Sequence, residues 1–340
     1  MHQDQRNDLT AHEAPRPLSR REFLRKLTLA TAGSGFLTSV FSGYLLTPSQ
    51  RAEAGEALVD KLGKLPKRRL GKRMGNMMVT PILICQDNSP ELLGPCLAAG
   101  MNFIHKAGYW SRRGGLPEEL KKLPRESFFT DTTVDNTPDR PDDEEGAYRQ
   151  VVRELEMTGL KYFDIFRAHY GWHTLAEFNK GSNASYRAFK RLKKEGKVRF
   201  FGVSQHARPE NYETYATMIQ AQIDSGIIDS MQVWLHYGSD AESLAIFEKA
   251  HKAGIGITAM KTVAMGGGPM RRDSARQAEL KASGQIGRAC IRHVLTLKGS
   301  DGKPFVDCCV SSLRNFDMFQ ENVGAIASKV ALADGFEFSV

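Results

Sequence analysis

Cysteine is scarce and unpatterned in this chain. Cys85, Cys96, Cys290, Cys308 and Cys309 make an odd number with no CxxC pair among them, which excludes a disulfide framework and leaves no legible zinc or iron–sulfur signature. The vicinal Cys308 and Cys309 lie in an apolar run and read as small core residues. HxH and HExxH spacings are also missing, so no ready-made metal motif is present. Nor is there a basic run interleaved with aromatics. Lys+Arg 47 against Asp+Glu 39 leaves a formal net charge of +8 spread along a chain well charged in both signs, which carries no nucleic-acid footprint. That balance suits a small anionic ligand such as a phosphorylated cofactor.

What is present begins with an address. Ser19-Arg20-Arg21-Glu22-Phe23-Leu24-Arg25-Lys26 precedes a stretch from Leu27 to Leu46 that is apolar but diluted by Gly33, Ser34, Gly35 and Ser42, and Ala52-Glu53-Ala54 follows. A basic region, a weak apolar region and a small-residue cleavage site in this order form an export signal. Paired arginines followed by Phe-Leu and a basic residue resemble bacterial twin-arginine signals. The expectation is a signal over 1–54, a linker over 55–66 and a folded domain over 67–340, exported to the periplasm by the twin-arginine translocation machinery. No stable membrane span is expected if the signal is cleaved, although the apolar stretch is near spanning length and an uncleaved anchor stays open. The segment through Ala54 holds seven basic and five acidic residues, so the mature domain keeps a charge of +6. Twin-arginine substrates cross already folded, which allows a non-covalent cofactor to travel with the protein.

The mature chain is long enough for a single α/β barrel of ordinary size, about 250 residues. Apolar runs alternate with longer polar-faced segments, the signal for βαβ units and a parallel sheet. Strands are predicted at Val79–Cys85, Met101–His105, Ser127–Val134, Tyr162–Ala168, Val198–Val203, Ser230–Leu235, Ile255–Met260 and Phe305–Val310. Ala147, Val151, Val152 and Leu155 fall at helical spacing within a helix over Glu144–Met157. Gly100, Gly196 and Gly254 stand where helices stop before strands. Such units favour a closed (β/α)₈ barrel, whose chemistry sits at the C-terminal ends of its strands.

Several blocks, in order, are similar to the aldo-keto reductases. They are Arg68-Arg69-Leu70-Gly71-Lys72 through Ile84, Gly100 to Tyr109, Tyr162 to His169, Gly196 to Ser204, and Gln320-Glu321-Asn322. That resemblance implies an NADP-dependent oxidoreductase, with NAD possible, acting on a small-molecule substrate by carbonyl reduction or alcohol oxidation. It also implies four catalytic positions: an aspartate ending the second strand, a tyrosine four residues later, a lysine ending the third strand and a histidine ending the fourth. Tyr109 and His169 match as proton donor and substrate-orienting residue. The aspartate position is His105, and the lysine position falls on Thr133 or its neighbour. Phenol has a pKa near 10, so an ammonium normally eases its proton donation. Lys106 and Lys261 are the nearby cations proposed as substitutes, and each also reads as a solvated or substrate-facing lysine.

The same resemblance assigns Ser204, Gln205 and Gln232 to the nicotinamide carboxamide. Met260 takes the place of a stacking tyrosine, and Thr262 to Gly268 with Gly266 lies at the pyrophosphate. Arg314, Glu321 and Asn322 fall at the adenosine end, where Met318 takes the usual 2′-phosphate arginine position, so NADP over NAD rests on Arg314. Trp110, Trp172 and Trp234 are read either as lining an apolar pocket or as packing. Two other readings stay open. His105, His169, His206 and His236 end four strands, and neutral imidazoles converging on one face suit a metal-binding or metal-assisted hydrolytic barrel. A catalytically silent barrel that binds a ligand or partner is the other, since fold does not fix function.

Overall fold

In the computed structural model, residues 65–85, 88–135, 143–169, 175–205, 212–236, 239–263 and 286–327 are described, with positions 53, 57 and 60. The expected signal, His206, Gly266 and Trp172 therefore lie outside the described residues. A short antiparallel hairpin of β1 (Arg68–Arg69) and β2 (Met78–Val79) precedes a closed barrel of β3 (Ile82–Cys85), β4 (Phe103–His105), β5 (Phe129–Asp135), β6 (Phe163–His169), β7 (Val198–Ser204), β8 (Ser230–Trp234), β9 (Gly256–Met260) and β10 (Cys308–Ser311). Every barrel pairing is parallel, and β10 closes on β3. The eight expected strands are all found, each trimmed or extended at its ends. Trimming falls mostly at N-terminal ends, where chain enters the barrel before ladder pairing begins.

The described helices are α1 (Leu93–Ala98), α2 (Glu118–Lys121), α3 (Glu144–Thr158), α4 (Leu175–Lys194), α5 (Tyr212–Asp224), α6 (Ala241–Lys252), α7 (Ile286–Thr296) and α8 (Phe316–Gly324). Helix α3 shows how local sequence sets the boundaries. The Asp143 carboxylate accepts from the Gly146 amide at 2.6 Å, Glu144 and Glu145 stand at the positive end of the helix, and Gly159 ends it at φ 73°. Acidic residues there favour the dipole, and glycine reaches the left-handed cap without a Cβ penalty.

Two apolar clusters divide the core. The larger lies between the outer face of the barrel and the helices. The smaller combines Leu83, Phe103, Ile165 and Cys308 from inside the barrel with Leu70, Met74, Met77 and Val79 of the hairpin region. The hairpin therefore plugs the floor. Arg73 fastens it there by donating to the carbonyl oxygens of Ala253, Gly226 and Ile228 at 3.1, 3.1 and 2.8 Å. With the floor closed by apolar side chains, ligand access is left to the opposite end, where polar residues gather.

Candidate active site at the strand ends

Alternation along a strand sends every second side chain inward. Above the apolar floor this places His105 of β4, Asp131 of β5 and Arg167 of β6 inside the barrel, at 2%, 0% and 0% exposure. Asp131 is the hub. His105 Nδ1 lies 3.0 and 2.9 Å from its two oxygens, Arg167 Nε donates to Oδ2 at 3.1 Å, and the Lys106 amide donates to Oδ1 at 2.5 Å. Burial by itself would raise the pKa of this carboxylate. The charges of His105 and Arg167, with the hydrogen bonds from His105 and the Lys106 amide, outweigh burial and hold it well below the usual carboxylate range. Arg167 also donates from Nη1 to the Val203 carbonyl at 3.2 Å. A Cβ at Gly202 would come within 3.4 Å of that Nη1, so the glycine on β7 leaves room for the guanidinium.

Asp131 and Arg167 were not singled out in the sequence. The signal was there, however: each is a charged residue in the interior of an expected barrel strand, and burial of such a charge requires a partner.

One residue past His105 the chain turns sharply. Lys106 adopts φ 54°, ψ 45° and opens the 3-10 segment Ala107–Arg113. A left-handed conformation costs a residue with a Cβ about 1–2 kcal/mol, and the bond from its amide to Asp131 offsets that cost. The turn carries Lys106 Nζ to 3.4 Å from His169 Nε2. An ammonium has donors only, so this contact uses the Nε2 lone pair of a neutral imidazole whose proton sits on Nδ1. Lys261, the other non-glycine residue at positive φ among the described residues (59°), stands exposed just after β9.

Tyr109 lies one 3-10 turn beyond Lys106, its amide donating to the Lys106 carbonyl at 2.9 Å. Its side chain is 37% exposed, with Arg113 4.9 Å and Arg112 5.9 Å from the ring centroid. Thr133, at the position the resemblance gives to lysine, has a buried hydroxyl with no hydrogen-bond partner among the described residues, whereas its neighbour Thr132 bonds Glu154 of α3. Trp110 packs into the larger apolar cluster. A groove of about 680 Å³ next to this segment is lined by Ser111, Arg112, Arg149 and Arg153 and belongs to the outer wall.

Ser204 ends β7, Gln205 follows it and Gln232 lies within β8, all three buried. Among the described residues neither amide atom of Gln205 has a partner, nor does Gln232 Oε1. Gln232 Nε2 donates to the Met260 sulfur at 3.6 Å. Unpaired buried amides are costly and rare. A planar carboxamide, with one acceptor and two donors, would satisfy them, so the residues present fit the nicotinamide end of a cofactor. The adenosine-end residues are employed differently. Glu321 Oε1 accepts from the Gly287 amide at 2.5 Å at the start of α7, and Asn322 Nδ2 donates to Ser311 Oγ at 2.7 Å. Arg314 is exposed on the strand-end side of α8 and accepts from Ser89 Oγ through its carbonyl at 2.6 Å.

Residues 86–285 match the aldo/keto reductase family. The chain belongs to that family. It is 23% identical over 276 residues to the L-galactose dehydrogenase of Arabidopsis thaliana, covering 73% of this chain and 81% of that protein. Among solved structures it is similar to an aldo-keto reductase from Bacillus halodurans in its holo form, at TM-score 0.57 and 16% identity over 79% of this chain and 92% of the other. A thermostable aldo-keto reductase in complex with the inhibitor epalrestat matches equally well, with TM-score 0.57 and 16% identity over 79% and 96% of the two chains. Family membership makes this an aldo-keto-reductase-like oxidoreductase, and aldo-keto reductases generally use NAD(P)H. The metal reading fares worse. Among the described residues no three His, Cys, Asp or Glu side chains stand together as a metal site. Moreover, His105 is committed to Asp131 and His169 faces an ammonium, which repels a metal cation.

Proposed function

We propose that this protein is an exported, NADP(H)-dependent oxidoreductase that reduces a carbonyl, or in reverse oxidises an alcohol, at the strand ends. NAD is the alternative cofactor. The observation that carries the reading is the Lys106–His169 contact at 3.4 Å on the same barrel rim as the orphaned amides of Gln205 and Gln232.

Ser204, Gln205 and Gln232 hold the carboxamide of the nicotinamide, and Met260 packs against its ring. When bound, that ring supplies a hydride to the carbonyl carbon. The chain's own residues handle the oxygen. His169 and the Lys106 ammonium orient it, Nζ keeping two N–H donors beyond the one directed at His169. The Tyr109 hydroxyl donates its proton as the C–O π bond opens, and the nearby positive charge of Lys106 favours the phenolate left behind. Arg314 is assigned to the 2′-phosphate. Pairing of Glu321 and Asn322 with α7 and Ser311 supports a framing role for these two residues beside the adenosine. Residues 1–54 direct export through the twin-arginine machinery as a removable signal, with loading of the cofactor before transit.

The test is a fluorescence titration of the mature protein with NADPH, together with turnover of a reactive aldehyde. Binding is expected, and Tyr109→Phe should retain it while losing roughly 10²–10⁴ in kcat. Absence of binding, or equal turnover by Tyr109→Phe, would refute the reading. Replacing Arg20 and Arg21 by lysine should leave the protein in the cytoplasm.

A further inference from the structure

The interior triad lies next to the site and reaches it through the Lys106 backbone amide, and a buried charge cluster is costly unless it is well paired and hydrogen-bonded. Its geometry shows what the pairing does. Asp131 spends one oxygen on the Lys106 amide, at the one point where the backbone enters the left-handed region before the 3-10 segment. The carboxylate itself is fixed from two sides by Arg167 Nε and His105 Nδ1. Arg167 in turn is anchored on the Val203 carbonyl of the next strand. Four strands thus fix one amide, and that amide sets the direction in which Lys106 leaves β4.

We propose that Asp131 and Arg167 are positioning residues for Lys106: the carboxylate, clamped by the guanidinium, holds the Lys106 backbone in its left-handed turn so that the ammonium meets His169. This rests on the role given to Lys106 and His169 above and extends it to two residues outside the catalytic contacts. In the pattern implied by the family resemblance, the carboxylate ends the second strand and the ammonium the third. Here the pair has changed strands. The carboxylate comes from β5, and the ammonium comes from β4 by way of the turn. The exchange requires a residue with a long cationic side chain in a conformation that glycine prefers, and Asp131 enforces that conformation.

The test reads His169, which Asp131 is not bonded to, in the mature protein without cofactor. Histidine-selective ¹⁵N NMR of Lys106→Gly defines what loss of the ammonium does to the His169 ring, because glycine adopts the same turn without strain. Asp131→Ala, which leaves no acceptor for the Lys106 amide, should reproduce that spectrum although Lys106 is still present. Where Asp131→Ala fails to fold because Arg167 is left buried and unpaired, Asp131→Ala combined with Arg167→Met removes both charges together and should give the same His169 shift.

A second arm is a double-mutant cycle in stability. Removing the carboxylate should perturb the unfolding equilibrium roughly five-fold less in the Lys106→Gly background, where the turn needs no clamp. Wild-type His169 resonances in the charge-free pair variant, or additive stabilities in the cycle, would overturn the proposal. Neither readout depends on turnover, so failure of the oxidoreductase reading would leave these results interpretable.

Discussion

Asp307 at the barrel floor should make the protein lose stability as the pH rises from about 4 to about 7. It precedes β10, where Oδ2 accepts from the Ile257 amide at 2.8 Å. Burial pushes its carboxyl up from an ordinary 3.8 to about 7, against the opposing pull of the Ile257 and Gly71 amides and of Arg68. The sign follows from linkage. The unfolded chain releases this proton near 3.8 and the folded protein holds it to about 7, so ionisation opposes folding throughout that interval. The full penalty applies above the interval and vanishes below it. A displacement of this size corresponds to roughly 4 kcal/mol, and the group is buried enough that solvent screening discounts little.

Asp307→Asn stays neutral at every pH and keeps an acceptor for the Ile257 amide. At pH 8 it should be more stable than wild type by up to about 4 kcal/mol, a gain of roughly 5–15 °C in Tm for a domain of this size. At pH 4 the two should differ by less than about 1 kcal/mol. His251 Nδ1 lies 3.8 Å from Asp307 Oδ1 and is half-buried, with burial and Lys72 lowering its pKa. Both proteins should therefore be compared in a His251→Gln background, which removes a titratable neighbour. Thermal melts from pH 4 to pH 8 provide the measurement. A stability difference that stays flat across that range would refute the reasoning.

Two further outcomes follow from close approach and from orphaned polar groups. At Gly71, φ is +66° and an added Cβ would lie 2.7 Å from Gly256 Cα and 2.9 Å from the Gly254 carbonyl. Gly71→Ala should therefore lift the hairpin off the floor and cost more than about 3 kcal/mol in denaturant unfolding, since backbone cannot rotate aside. Gln205→Ala and Gln232→Ala should each weaken NADPH about ten-fold in a fluorescence titration, the loss of one or two hydrogen bonds, while leaving or slightly raising the Tm because a buried unpaired amide is removed.

Much of the barrel was legible because it rests on local rules. Gly100, Gly196 and Gly254 marked helix ends, and each has positive φ. The apolar runs between them became strands within a few residues of their expected bounds. The hairpin plug was not anticipated, because its Leu70, Met74 and Met77 are ordinary apolar residues until a barrel floor is there to receive them. At the site, Lys106 was named as a possible stand-in cation for its place beside His105. Nothing in its neighbours specified a left-handed turn, which no glycine announces. Glu321 and Asn322, expected at the adenosine end of a cofactor, bond α7 and Ser311, partners that approach only when the last helices dock.

The alternation of apolar and polar segments, with glycines between them, determined by itself that this chain closes a parallel barrel and gathers polar side chains at one end. Periodicity and backbone freedom act over a few residues, and no folded partner is needed to express them. Only the tertiary structure decided which charges meet. His105, Asp131 and Arg167 are separated by 26 and 36 positions, and their convergence depends on strand tilt and register, quantities that closure of the ring imposes on all strands at once.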